Sequence, residues 1–222
     1  MTSFAVVTPS RGLVHSRTIE AVVANVASVR QRYLGWFLTH DLPIPDCDER
    51  TAELGLATGA DAIWFVEEDV IPPPGALAAS FRLLSEGFDV VAVDYPVGAA
   101  ADGWGCLVRD PAGQILWCGL GATLISRKAF ERVPRPWFTT DFTFVKQGPE
   151  WVLVANHQLP ERRYGGQDIA FCMNLRREGL RIGQVDGMVA GHAKVDAMGA
   201  PGTNIGWHAI SVRTVIDRSY PG

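Results

Sequence analysis

The sequence predicts an α/β fold with a mostly parallel sheet flanked by helices. Four short apolar runs alternate with three helical patterns between Phe4 and Asp94, an order typical of parallel strands joined by right-handed crossovers. The third run, 62–66, is apolar at all five positions, as expected for a strand buried on both faces. After Asp94 the pattern changes to hairpins, which predicts antiparallel additions in the second half.

The elements of the first half are bounded by caps and turns. Apolar runs predict strands, apolar residues at helical spacing predict helices, and glycine or proline marks most ends. Ser16 is the expected N-cap of the first helix, because its hydroxyl can accept a backbone N–H there. The predicted strands are 4–7, 34–39, 62–66 and 88–93, and the predicted helices are 16–30, 47–58 and 75–86.

The second half predicts two hairpins and a further set of strands and helices. In each hairpin, short apolar segments flank a polar turn. The hairpins join 106–109 to 114–117 and 142–145 to 151–154, the strands are 121–125 and 181–185, and the helices are 128–132 and 166–178. The tail from Ala193 is weakly periodic and rich in glycine, which suits either a surface tail or a mobile lid over a bound ligand.

Composition and charge exclude several classes of protein. Hydrophobic residues make up 47% and charged residues 20% of the chain, the balance of a folded domain rather than a disordered one. The net charge of −4 disfavours nucleic acid as the main partner without excluding it. With no signal-peptide pattern and no apolar run of about 18 residues, we expect a cytoplasmic protein without a membrane span. The four cysteines form no C-x-x-C pair and are expected to be reduced.

Three polar segments follow predicted strands, where open parallel sheets bind ligands. Thr8-Pro9-Ser10-Arg11 follows the first strand, Glu67-Glu68-Asp69 follows the most apolar one, and His192 follows the last. Adjacent carboxylates repel one another unless a cation lies among them, and their oxygens suit Mn²⁺ or Mg²⁺. The alternatives are a solvated acidic turn for the three acids and a structural role for His192.

A fourth segment of interest begins the helix 166–178. Gly165 and Gly166 allow the backbone to approach a neighbour closely, and Asp168 lies in the first helical turn. Asp168 can simply complement the helix dipole there. The chain lacks the dinucleotide fingerprint, the P-loop and the nucleophile elbow, which argues against a Rossmann dehydrogenase, a P-loop NTPase and a serine hydrolase.

Four segments occur in an order that is more specific than any one of them: VVTPSRG, AELGLATGADAIWFVEEDVIPPP, GLGATLISRKAFERV and YGGQDIAFCMNLRREGLRIGQVDGMVAGHA. In this order, over roughly 4–193, the chain resembles an inverting nucleotide-sugar glycosyltransferase of the GT-A fold. The resemblance implies metal-dependent transfer of a sugar from a UDP-linked or GDP-linked donor to a hydroxyl of a glycan, protein or other acceptor. It also implies one domain over 1–222, with a nucleotide-binding half at 1–94, an acceptor side at 95–192 and a tail or lid at 193–222.

The same resemblance assigns roles to single residues. Asp69 and His192 match metal ligands of the family, and Glu67 matches a position near the metal or the ribose. Asp168 matches the catalytic base, although Gln167 replaces the glutamate that commonly precedes it. Gly119–Thr123 would border the acceptor. The residues implied to bind the nucleotide and its diphosphate are Thr8, Pro9, Arg11, Asp48, Arg50, Glu67 and Glu68.

Two other functions remain open from the sequence. A nucleotidyltransferase shares the α/β architecture and acidic metal ligands, but its first loop is usually rich in glycine and basic residues, whereas the loop here has only Arg11. A non-catalytic module that binds a sugar nucleotide or glycan is the second, and Trp104 is the best candidate to stack on a sugar ring.

Overall fold

The helices and strands follow the predicted order along the chain. The computed structural model describes residues 2–10, 12–40, 42–97, 104–147, 150–159, 166–197 and 210–215. None of the described helices is both long enough and apolar enough to cross a bilayer. The α-helices are α1 (Ser16–Ser28), α2 (Asp46–Ala57), α3 (Ala76–Ser85), α4 (Arg127–Arg132) and α5 (Gln167–Arg177), and Asn156–Gln158 forms a 3-10 turn.

The strands fall into one large sheet and several small ones. They are β1 (Ser3–Pro9), β2 (Arg32–Thr39), β3 (Ala62–Val66), β4 (Val70–Ile71), β5 (Val90–Asp94), β6 (Pro96–Val97), β7 (Trp104–Gly105), β8 (Leu107–Arg109), β9 (Ile115–Cys118), β10 (Ala122–Ser126), β11 (Phe142–Gln147), β12 (Glu150–Ala155), β13 (Ile182–Val189), β14 (Gly191–Ala197) and β15 (Ile210–Val215). The antiparallel pairs β8–β9 and β11–β12 confirm both predicted hairpins.

The large sheet has six strands in the order β13-β5-β10-β3-β1-β2. β1 pairs in parallel with β2 and β3, and β13 pairs in parallel with β5. β10 lies antiparallel between β3 and β5. The predicted α/β class with a mostly parallel sheet is therefore confirmed. The apolar pattern predicts β10 as a strand but leaves its direction open, because an apolar run looks the same in both directions.

Helices cover both faces of this sheet, so its central strand β3 is apolar and buried at every position. Successive side chains of a strand point to opposite faces. Trp64 belongs to a buried cluster with Leu77 of α3, and its neighbour Phe65 belongs to a second cluster with Phe171 of α5. Helices α1 and α3 therefore pack on one face, and α2, α4 and α5 pack on the other.

One local expectation is corrected: His15, not Ser16, is the N-cap of α1, because the chain is still extended at His15 and its Nδ1 accepts the N–H of Arg17 at 3.2 Å. In the weakly periodic tail, the structure shows two strands: β14 pairs with β4 and with β15. Most of the proposed lid, 198–209 and 216–222, lies outside the described residues.

Gly55 allows α2 to pack closely on the sheet, which leads to a first prediction. A Cβ at this position would lie 2.8 Å from Val7 Cγ1 and 2.9 Å from Ile63 Cδ1. We expect Gly55→Ala to lower the free energy of unfolding in urea by about 1–2 kcal/mol, because overpacking outweighs the gain of roughly 1 kcal/mol in helix propensity. Ala57→Gly, at an exposed position of α2, measures that propensity alone. A Gly55→Ala protein as stable as wild type would show that the α2–sheet contact is loose.

Candidate active site

Carboxylates from three parts of the chain meet at the edge of the sheet where β1 and β3 end. Glu67 follows β3, Asp69 precedes β4, and Asp48 and Asp168 lie in the first turns of α2 and α5. The charges of Asp69, Asp48 and Asp168 each raise the pKa of Glu67, which shows that the four groups lie within electrostatic range of one another. Open α/β sheets bind ligands at this edge, and these acids make it negative where they are ionised.

The surroundings of Glu67 perturb its carboxyl. Burial, followed by the charges of the three neighbouring acids, raises its pKa well above the ordinary value. The Tyr95 hydroxyl lies 3.4 Å from Glu67 Oε2 and accepts the Gly121 N–H at 3.3 Å. Tyr95 thus fixes the Glu67 side chain against the loop that enters β10.

Pairing of β4 with β14 brings Asp69 and His192 together. His192 lies opposite Val70, and the N–H of Ala193 donates to the Asp69 carbonyl at 2.7 Å. As a result, His192 Nε2 lies 3.4 Å from Asp69 Oδ2. These two residues are 123 positions apart in sequence, and two short strands hold them in contact.

The hydrogen bond of the second ring nitrogen determines what His192 can offer. His192 Nδ1 lies 2.6 Å from the carbonyl oxygen of Pro96. Because a carbonyl only accepts, the proton belongs on Nδ1, and a neutral imidazole then directs the Nε2 lone pair towards the Asp69 carboxylate. His192 Nε2 and Asp69 Oδ2 would then both be acceptors, 3.4 Å apart. Such a contact is favourable only with a proton or a cation between the two atoms. A histidine whose other nitrogen donates to a backbone carbonyl is the usual arrangement of a metal ligand.

The donor atoms fit a divalent cation only in part. A carboxylate oxygen and an imidazole nitrogen suit Mn²⁺ and, less well, Mg²⁺. Within the ranges that the structure describes, no three His, Cys, Asp or Glu side chains are grouped so that they could hold a metal ion. The chain therefore offers a two-residue site, Asp69 with His192, which needs further ligands from outside the described residues.

Asp168 lies at the start of α5 in a position that raises the pKa of its carboxyl to about 6. Burial is the main cause, and hydrogen bonds from the Trp117 side chain and the Ile169 N–H oppose it. Gly166 precedes the helix with φ at 85°, and a Cβ there would lie 2.6 Å from the Phe142 carbonyl. Only glycine fits this turn, and the turn directs the helix start towards the site.

Asp48 and Gln167 form a buried pair beside Asp168. Asp48 is only 2% exposed, and burial followed by the charge of Asp168 raises its pKa to about 7. A hydrogen bond with the Gln167 side chain lowers the pKa of Asp48. Among the described residues, Asp48 Oδ2 and Gln167 Oε1 have no hydrogen-bond partner. Both of these oxygens are acceptors and cannot bond to each other while Asp48 is ionised. A protonated Asp48 would carry an O–H group and so supply a donor.

The loop after β1 is tied to the acidic segment through Glu68. This side chain is buried, and its Oε2 accepts the Ser10 hydroxyl at 2.8 Å. The Glu68 carbonyl also accepts the His15 N–H at 2.9 Å, at the start of α1. Glu68 therefore joins two segments at the sheet edge.

The remaining predicted nucleotide contacts are placed less closely. Thr8 is fully buried and accepts the Trp36 indole N–H at 2.9 Å, while Pro9 is partly buried at the end of β1. Arg50 is exposed and pairs with Glu53 at 3.0 Å instead of joining the acids. Arg11 and the side chain of Trp104 lie outside the described parts of the chain.

Tyr95 and Trp117 are site residues that sequence patterns missed, since both resemble ordinary core residues. One signal pointed to Tyr95. Gly119 and Gly121 alternate before β10, and a Cβ at Gly121 would lie 2.6 Å from the Tyr95 ring. Glycines at alternate positions indicate a close approach by a large side chain, but the sequence does not say which one.

Comparison with solved structures supports the fold. A197 from STIV has a TM-score of 0.59 at 21% identity, covering 86% of this chain and 85% of A197. Drosophila beta1,4galactosyltransferase 7, solved with xylobiose, has a TM-score of 0.48 at 13% identity, covering 84% and 66%. Glucosyl-3-phosphoglycerate synthase from Mycobacterium tuberculosis, solved with Mn²⁺ and UDP-glucose, has a TM-score of 0.47 at 17% identity, covering 87% and 71%.

At these identities the likeness bears on the fold alone, and only A197 exceeds a TM-score of 0.5 among these three. No protein-family model matches the sequence, and no curated protein matches it. The function must therefore be inferred from the site.

The raised pKa of Asp48 predicts a pH-dependent stability. The pKa of its carboxyl is 3.8 when exposed and about 7 in the folded protein. Ionisation therefore lowers the free energy of unfolding; this loss is absent below about pH 4 and grows as the pH rises towards 7. Asp48→Asn cannot ionise. We expect the variant to become more stable than wild type by roughly 2–4 kcal/mol at pH 7.5, since one pKa unit is about 1.4 kcal/mol, and to match it near pH 4.

Urea unfolding at several pH values measures this difference. Asp46→Asn is the matched control, because it removes the same charge from an exposed position in the same helical turn. A constant difference between wild type and Asp48→Asn from pH 4 to 7.5 would mean that Asp48 is not desolvated.

Proposed function

We propose that this chain is a metal-dependent glycosyltransferase that moves a sugar from a UDP-linked or GDP-linked donor to an acceptor hydroxyl, with inversion at the anomeric carbon. One observation carries the proposal: Asp69, which lies 3.4 Å from His192, and Asp168 are both close enough to Glu67 for their charges to raise its pKa. A potential metal-binding pair and a potential base therefore share one edge of the sheet.

In this proposal Asp69 and His192 hold Mn²⁺ or Mg²⁺, with Glu67 towards the metal or the ribose. When bound, the cation would neutralise negative charge on the diphosphate as it leaves the sugar. The carboxylates alone would repel a diphosphate, so the negative edge is explained better with a cation than without one. Water and the diphosphate itself would complete the ligand set.

Asp168 is proposed as the general base. A pKa of about 6 keeps the carboxylate largely ionised at neutral pH, yet basic enough to take a proton from a hydroxyl. The side chain is partly exposed, so an acceptor can reach it. The Ile169 N–H, which donates to Asp168 Oδ1 at 2.9 Å, holds its orientation. When the acceptor oxygen attacks the sugar, its proton moves to Asp168 and then to solvent.

The other assignments follow the two halves of the chain. The half 1–94 would bind the nucleotide through Thr8, Pro9, Arg11, Asp48, Arg50 and Glu68. The part 95–192 would form the acceptor side, with Gly119–Thr123 next to the acceptor. Gly121 supports this placement, because its carbonyl accepts the Glu67 N–H at 3.1 Å and so lies beside the acids.

Replacing Asp168 separates catalysis from binding. We expect Asp168→Asn to reduce sugar transfer by roughly 10²–10⁴-fold, because the amide keeps the shape of the side chain but cannot accept the proton. Wild-type transfer should rise as the pH passes about 6, where Asp168 becomes ionised. The assay follows product from a panel of nucleotide sugars and acceptors with Mn²⁺, and NMR determines the anomer formed.

Glu131→Gln, at an exposed position of α4, is the charge control and should leave transfer unchanged. Nucleotide binding should survive in both variants. Transfer by Asp168→Asn at the wild-type rate, or a product with retained configuration, would overturn the proposed mechanism.

Nucleotide binding tests the metal pair directly. Calorimetry should show that UDP or GDP binds wild type more tightly with Mn²⁺ or Mg²⁺ than without, and that Asp69→Ala loses this enhancement. His192→Ala should weaken the same enhancement, because it removes one of the two proposed ligands. Equal affinity with and without the cation would refute the metal assignment.

A further inference from the structure

A cavity lined by arginines lies beside the edge strand β13, apart from the acidic site. Its volume is about 530 Å³, and Arg109, Arg176 and Arg181 line it together with apolar residues that include Phe88 and Leu180. The three arginines come from three places: the end of β8, the last turn of α5 and the turn before β13. The fold therefore gathers cations that are far apart in sequence.

Two of these guanidinium groups are held in place by neutral partners. Arg109 donates to the Gly113 carbonyl at 2.7 Å and to the Gln184 side chain. Arg181 lies 4.3 Å from the centre of the Phe88 ring and donates to the Gly87 carbonyl at 3.4 Å. Neither has an ion-pair partner in the described parts of the chain. A guanidinium carries five N–H donors, so both retain donors for a ligand.

The cavity lining holds three arginines and one acid, although the whole chain carries −4. Asp186 is the acid in the lining, and three further acids lie near the arginines. Asp110 Oδ2 is 3.8 Å from Arg176, Asp89 Oδ2 accepts the backbone N–H of Arg181 at 2.9 Å, and the charge of Arg109 acts on Asp94. The Asp110 carboxylate also accepts the Gln114 N–H at 2.9 Å. Arg176 at the end of α5 is explained in part by the helix dipole. The helix dipole does not explain Arg109 and Arg181, because neither lies in a helix.

We propose that this cavity binds a small phosphorylated molecule. Arginine recognises phosphate through paired N–H donors, and three guanidinium groups around one cavity match a group that carries two or more negative charges. The volume is in the range of small-molecule sites, and the apolar wall suits the organic part of such a ligand. The site needs no metal ion, and the inference does not depend on the glycosyltransferase proposal.

The cavity is distinct from the carboxylate cluster. Arg176 follows Asp168 by eight residues on α5, which places the two about 12 Å apart along the helix axis. A phosphate at the acidic edge would need a cation, whereas a phosphate at the arginines would not. This difference separates the two sites in solution.

Binding of inorganic pyrophosphate tests the proposal. Calorimetry in EDTA at low ionic strength should show binding to wild type and equally to Asp69→Ala, and the affinity should fall as salt is added. Arg109→Gln/Arg181→Gln should weaken binding at least tenfold, since each lost charged hydrogen bond is worth roughly one order of magnitude. Arg30→Gln/Arg32→Gln is the matched control, because it removes two exposed charges near the opposite edge strand β2.

Thermal unfolding shows whether the double variant is folded. Arg176→Gln provides a second test with little risk to the fold, because the ion pair of Arg176 with Asp110 is long, at 3.8 Å. Wild-type affinity in both Arg109→Gln/Arg181→Gln and Arg176→Gln would overturn the proposal. So would the absence of metal-free binding, or binding that disappears in Asp69→Ala. Loss of affinity only in the arginine variants would support it.

Discussion

Repulsion among carboxylates at one edge of the sheet is the constraint on which the rest of the site depends. Asp48, Glu67, Asp69 and Asp168 come from three separate segments, and burial of Asp48 and Glu67 further disfavours their ionised forms. A fold that gathers four acids in this way needs either protonation or counter-ions to offset the cost. The neighbours of the acids reflect this need: hydroxyl, indole and amide groups hold the individual carboxylates, and His192 adjoins Asp69.

The backbone that holds these acids is rigid where they are attached. Glu67 leaves a strand that is buried throughout, and Asp168 starts a helix whose entry turn admits only glycine. Asp69 is fixed by the pairing of β4 with β14. A site built on strand ends and helix starts keeps its geometry better than one built on free loops. The like charges therefore cannot simply move apart.

Patterns in the sequence predicted most of the fold, because periodicity and turn residues report local structure. The acids after the strand 62–66 and Asp168 were found for the same reason: each follows a boundary that the pattern marks. Contacts such as Tyr95 with Glu67, or Gln167 with Asp48, were not predictable. They join side chains across 28 and 119 residues, and nothing local marks either partner. The direction of β10 and the arginine cavity are likewise products of tertiary packing.

The antiparallel placement of β10 has a consequence for how the chain can vary. β5 ends at Asp94 and β10 begins at Ala122, and the two strands are neighbours with opposite directions. The whole segment 95–121 is therefore one long connection that leaves and re-enters the sheet at the same edge. Tyr95 and Trp117, near its two ends, are constrained because they contact the site carboxylates. Its exposed turn 111–114 can change in length and sequence without any shift in strand register, because loop closure costs grow slowly with length. Related chains could therefore vary that turn and keep the geometry of the carboxylates.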